Sequence, residues 1–170
     1  ADDRGPADTP EKESNDTPSA PEQEVIDALV YFYEAIQAAD LAVMENIWLP
    51  ASDAISVAHP FHGLAVGRDE VFSTWRTMFA LGKVVDVDVE IVRVEVSPNM
   101  AWCVAIQHLT TSRANETIGG RRIATNIFQM WKGRWKMVYH GAAPVFLEDM
   151  SGMQDAQDSP QDDSGGRVDV

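Results

Sequence analysis

Few residues in this chain could carry acid–base chemistry, and they stand far apart. His59 sits against a proline at the end of the apolar run ISVAHPFHGLAVG (residues 55–67), His62 follows three positions later, and His140 lies near the end of RWKMVYHGA. An imidazole ordinarily titrates near pH 6.5, so His59 in a pocket could take a proton at neutral pH without the large shift an Asp would need. Its structural alternative is a histidine that closes a strand and bonds to backbone. His59 and His62 share a His-x-x-His spacing. The intervening Pro-Phe and the lack of a nearby third ligand argue against a metal there, since zinc takes three or four ligands. Asn126 is set among Ile123, Ile127 and Phe128 in RRIATNIFQMW. Buried and unpaired, its amide would cost about 1–3 kcal/mol, so it is either satisfied by neighbours or faces a ligand. Cys103 is the single cysteine and lies in an apolar run, which excludes an intramolecular disulfide and predicts a buried, inert thiol. Trp75, Trp102, Trp131 and Trp135 read first as core and dimer-surface side chains rather than as a cofactor cage. No glycine-rich phosphate loop, Ser/His/Asp order, Cys/His pair or paired-carboxylate motif occurs between residues 25 and 147. Hydrolysis by an activated nucleophile therefore has no support, and neither a cofactor nor a metal is expected.

The elements that must position these residues show in the hydrophobic period. Ser19-Ala-Pro-Glu22 has capping-box spacing, and Val25, Leu29, Phe32 and Ile36 behind it predict an amphipathic helix ending near Ala39. Asp40 can cap a shorter helix, LAVMENIW, which Pro50 stops. After Gly67, Asp69 and Glu70 suit a first turn, and Val71, Phe72, Trp75, Met78 and Phe79 make one apolar face of a third helix. From Val84 the period becomes two. Val85, Val87, Val89 and Ile91 alternate with acids, then the phase slips by one to Val92, Val94 and Val96, as at a β-bulge. Turns at Ser97-Pro-Asn99 and Lys132-Gly133 and a loop from Arg113 to Gly120 separate MAWCVAIQHLTT, RRIATNIFQMW and RWKMVYHGA. Four long strands with short connections predict an antiparallel meander, and helices followed by strands predict an α+β fold with the helices on one sheet face.

The chain has 170 residues, of which 45% are apolar, enough for one domain with a substantial core. Residues 1–24 hold eight acids against Arg4 and Lys12, with four prolines and no large apolar side chain. They are expected to form a disordered acidic arm. Residues 148–170, with seven acids and Arg167 as their one base, are expected to form a second disordered acidic tail. The net charge is −14. The tails hold most of it, leaving about −2 for residues 25–147. With no basic stripe, neither nucleic acid nor an anionic membrane is an expected partner. No run of 18 apolar residues exists and the amino terminus lacks a secretory apolar core, so no membrane insertion is expected and a soluble, intracellular setting is favoured.

The segments FYEAIQAAD, HPFHGLAVGRDEVFSTWRTMF and ATNIFQMWKGRWKMVYH, in that order, resemble the SnoaL-like branch of the nuclear transport factor 2-like superfamily, over about residues 24–146. The resemblance implies a cone, with three N-terminal helices on a strongly curved antiparallel sheet and a pocket at the open end, so that residues 25–147 form the SnoaL-like domain. By position against the ketosteroid isomerase relatives, the general-base Asp falls on His59, the oxyanion-binding acid on Asn126, and the oxyanion Tyr on Phe32. Tyr31 and Tyr33 flank Phe32 but point about 100° away on a helix. The resemblance thus implies His59 and Asn126 as catalytic residues in a pocket lined by Phe32, Trp75, His140 and Phe128. The family's consecutive histidines near the last strand are here Tyr139-His140-Gly141.

The expected function is uptake of a small, largely apolar molecule, with cofactor-free proton transfer of isomerase or cyclase type. Its alternative is a non-catalytic module whose exposed sheet face makes a homodimer or docks on a larger assembly. Polar groups converging in the cavity would favour the first, and a cavity plugged by Phe32, Met78 or Trp75 the second.

Overall fold

α1 (Ala20–Ala38) opens at Ser19, whose backbone N–H and hydroxyl both donate to the Glu22 carboxylate at 2.7 Å. In the computed structural model, which describes residues 17–50, 53–59, 63–81, 85–113 and 116–145, the helix starts inside the stretch expected to be a disordered arm. The bonds from Ser19, with Pro21 already held at a helical φ, order residues 20–24. The rest of that arm and the carboxyl-terminal tail lie outside the described residues, as does His62.

Ala39 turns the chain with a left-handed φ of 50°, and the Asp40 carboxylate caps α2 (Leu41–Ile47) by accepting from the Val43 N–H at 3.0 Å. The helix is one residue shorter than its apolar pattern, because Trp48 is extended and bridges Met137 while the Leu49 N–H donates to the Met137 carbonyl. β1 (Ser56–His59) and β2 (Gly63–Val66) pair as a short antiparallel hairpin, and α3 (Arg68–Ala80) follows from Gly67. The remaining strands are β3 (Val85–Val96), β4 (Met100–Arg113), β5 (Glu116–Trp131) and β6 (Arg134–Pro144).

The sheet order is β2-β1-β6-β5-β4-β3. The β3–β6 meander is antiparallel as expected and so is the β1–β2 hairpin, while β1 joins β6 in parallel. The α+β architecture stands, as an open sheet under three helices. Two register shifts bend it, one between Ile91 and Arg93 where the period slips, the other on the β5–β6 ladder at Ile127/Phe128. Between β5 and β6, Lys132 and Gly133 take φ of 48° and 75°, the positive pair of a type I′ hairpin turn.

Alternation sorts the faces. Ala101, Cys103, Ala105 and Gln107 of β4 and Ala124, Asn126 and Phe128 of β5 are buried on the inner face. Val25, Leu29, Phe32, Tyr33 and Ala35 of α1 meet them, with Val71, Phe72 and Trp75 of α3. Phe32 stands edge-on to Trp48 and Trp75, with ring centroids at 6.4 and 5.6 Å. Such aromatic pairs are each worth about 0.5–1.5 kcal/mol beyond their burial. Among the described residues no helix is long and apolar enough to cross a membrane.

Candidate functional site

Three elements bring the histidines together. β1 ends at His59, and its parallel pairing with β6, Val57 opposite His140, sets the two side by side. On the antiparallel side of β6, Asn126 is the direct partner of His140 in register. The His59 and His140 rings lie 5.2 Å apart, and the His140 Nδ1–H donates to the Asn126 Oδ1 at 2.7 Å. That bond fixes the tautomer, leaving the Nε2 nitrogen of His140 as the basic one.

The polar chain continues beyond Asn126. Its Nδ2 donates to the Cys103 Sγ at 3.7 Å, and beside it the Tyr33 hydroxyl accepts from the Gln107 Nε2 at 2.9 Å. Tyr33 is therefore not turned away, as its offset from Phe32 on the helix suggests. The sheet wraps far enough around α1 to bury both, whereas Tyr31 stays exposed. The tyrosine missing at position 32 is present one residue later, with its hydroxyl at the amide the sequence singles out.

Burial sets the charge states. His140 is fully enclosed, which holds its pKa well below the ordinary histidine value, and the charges of His59 and Arg122 push the same way. Burial pushes the Tyr33 phenol up to about 12 and the Cys103 thiol up to about 11, so both keep their protons at neutral pH. Arg122 shares the inner face with Asn126 and is half-buried, with its pKa lowered by desolvation.

The walls are aromatic. Phe32 lies 4.9 Å from His140, and Trp75 lies 5.3 Å from His59 and 6.1 Å from His140. Phe32 and Trp75 are fully buried, His59 is 8% exposed, and Met78 and Phe79 are half-buried. Both marks set out for the two functional readings are thus present, converging polar groups and rings packed over them. Phe128 is buried on the inner face beyond Asn126 but has no ring contact with either histidine. Three surface clefts, of about 380, 280 and 500 Å³, lie elsewhere, one beside α2, one between α1 and β3 and one at the start of α1. Tyr33 connects the second of them to the polar chain. Among the described residues no three His, Cys, Asp or Glu side chains are grouped to hold a metal ion.

Residues 25–146 match the family model described as the SnoaL-like domain. Among curated proteins, the F-box protein SKIP8 of Arabidopsis thaliana is 29% identical over 125 residues, 74% of this chain and 51% of the relative. The chain thus spans about half the length of the curated relative it matches. Among solved structures, a provisionally assigned dehydratase of the NTF2-like family from Streptomyces avermitilis superposes with a TM-score of 0.68 at 25% identity, covering 74% of this chain and 96% of the other. A provisionally assigned calcium/calmodulin-dependent protein kinase type II association domain from Thiobacillus denitrificans superposes with a TM-score of 0.64 at 27% identity, covering 76% and 100%.

Proposed function

The chain belongs to the SnoaL-like domain family, and from that premise we propose that its cone interior takes up a small, largely apolar ligand and moves a proton on it without a cofactor, as an isomerase or cyclase does. The observation that carries this reading is the His140–Asn126 bond beside His59, inside an aromatic wall. A neutral imidazole of fixed tautomer in an apolar cage can accept a proton from carbon at neutral pH. Asn126, committed to His140 and Cys103, serves here as the positioning residue. The base is His59 or His140, and the imidazolium it becomes returns the same proton to a neighbouring carbon. The dehydratase assignment of the Streptomyces avermitilis neighbour agrees with proton abstraction in such a chamber.

A second reading draws on the outer sheet face, where Trp102 and Ile123 are exposed, and on the association-domain likeness. On it, the chain is a non-catalytic dimerisation or docking module, and the inner rings are core.

Native mass spectrometry of the purified chain, followed by extraction, should release an apolar small molecule. In D2O the wild type should exchange a carbon-bound hydrogen of that molecule, and His59→Gln or His140→Gln should stop the exchange while leaving the molecule bound. Equal exchange in all three proteins would remove the catalytic half, and no retained molecule in any of them would favour the docking module.

A further inference from the structure

β6 runs past the strand that covers it. β1 pairs with residues 139–141 and Trp48 bridges Met137, so among the described residues Arg134, Trp135 and Lys136 have β5 on one side and no strand on the other. Ala28 and Tyr31 of α1 and Asn46 and Ile47 of α2 close that opening into a cleft of about 380 Å³, within the size range of sites that hold a small molecule. The cleft shares no residue with the histidine chamber.

This opening gathers cations without acids. The chain has 13 Lys and Arg against 27 Asp and Glu, yet two of the cations line one cleft and none of its lining residues is acidic. Arg134 is exposed and forms no ion pair among the described residues. Lys136 is half-buried and donates to the Asn46 carbonyl, a neutral acceptor, and its pKa is lowered by burial and then by the Arg134 charge. Like charges held this way repel, and an anion seated between them would relieve both. Between the two in sequence, Trp135 carries a buried indole Nε1–H with no hydrogen-bond partner, an exception that calls for a reason in a native fold. Trp48 shows the ordinary outcome, because its Nε1–H donates to the Met44 Sδ at 3.3 Å.

We propose that this cleft is a binding site for a small aromatic carboxylate, separate from the histidine chamber. An arginine fork matches the two oxygens of a carboxylate in parallel bonds, and the Lys136 ammonium adds a second positive charge beside it. Ala28, Ile47 and the Trp135 ring give the aromatic body an apolar wall. Inorganic phosphate would meet the same charges but gain nothing from that wall. The other cleft that Trp135 lines is bordered by Glu22, Glu24 and Glu95, and their field keeps an anion on the Arg134 side. The site stands whether or not the chamber takes a ligand.

The test titrates the full chain, labelled with ¹⁵N at the indoles, with 2-naphthoate, its neutral isostere 2-naphthamide, and inorganic phosphate, all at one ionic strength. Naphthoate should move the Trp135 indole signal, identified by its loss in Trp135→Phe, and leave that of Trp75 in place. Naphthamide and phosphate should each bind at least tenfold more weakly. Arg134→Gln and Lys136→Gln should each lower naphthoate affinity about tenfold, the value of one charge-assisted hydrogen bond, and leave naphthamide nearly unchanged. Should Lys136→Gln disturb α2 through its lost bond to Asn46, the exposed Arg134→Gln decides alone. Equal affinity for naphthoate and naphthamide, or naphthoate binding that ignores Arg134→Gln, would overturn the site. Phosphate binding as tightly as naphthoate would overturn the aromatic carboxylate as its ligand class, and a shift at Trp75 without one at Trp135 would place the molecule in the chamber instead.

Discussion

At the scale of single residues, the enclosed histidine gives the sharpest expectation. Burial holds His140 neutral, with its folded-state pKa well below the ordinary value, while in the unfolded chain it titrates near 6.5. Between those two values the unfolded state binds the extra proton, so stability from this residue is complete above about pH 7 and is lost as pH falls below 6.5. The slope approaches about 1.4 kcal/mol per pH unit. Thermal melts from pH 8 to pH 5 should show a flat Tm that then falls, and His140→Gln should flatten the fall; an unchanged slope would show that another group sets it. His59, Asn126, Phe32, Trp75 and His140 could be singled out from residue type and family order, and they do converge. Tyr33 could not, because a helical wheel gives direction relative to one neighbour but not the width of the wall around it. The commitment of the Asn126 amide was equally hidden, since it depends on strand register across β4, β5 and β6.

At the scale of elements, periodicity was a good guide wherever an element was long. The three helices, the four-strand meander and the bulge after Ile91 all follow from spacing. β2 did not, being four residues within an apolar run that has no alternation to separate strand from loop. The parallel pairing of β1 with β6 joins residues some eighty positions apart, which no local pattern encodes. α2 is the shortest helix, with seven residues and one capping carboxylate, yet it delivers Met44 and Ile47 to the core. Asp40→Ala should cost about 0.5–2 kcal/mol, lowering Tm by a few degrees, and Asp40→Asn should restore most of it. A Tm indifferent to both would mean that packing of Met44, Ile47 and Trp48 holds the turn without its cap.

At the scale of the whole molecule, the two sheet faces are covered unequally. The helices serve the inner face, while the outer face presents Trp102 opposite Ile127 and Ile106 opposite Ile123, with Met100 and Val92 nearby. Acidic Asp86, Asp88 and Glu90 border that stripe along the edge strand β3, where charge also discourages edge-to-edge pairing. A contiguous apolar stripe rimmed by charge is the composition of a protein interface. Sedimentation at micromolar concentration should therefore give about twice the 18.7 kDa chain mass, as expected for two copies related by a twofold axis. Trp102→Glu combined with Ile123→Glu should return the monomer without lowering the pH-dependent slope assigned to His140. A wild-type monomer at all accessible concentrations would leave the stripe to a different protein.

The bulge in β3 has a genetic reading. Ile91 and Arg93 already stand opposite consecutive residues of β4, Ala105 and Val104, so Val92 is the inserted residue. Loss of its single codon would leave Val87, Val89, Val94 and Val96 facing inward and would remove only the bend. Wall curvature and side-chain sorting are thereby inherited independently. A lineage can change the curvature of the sheet by gaining or losing one codon at this spot, without rewriting the strand on either side of it.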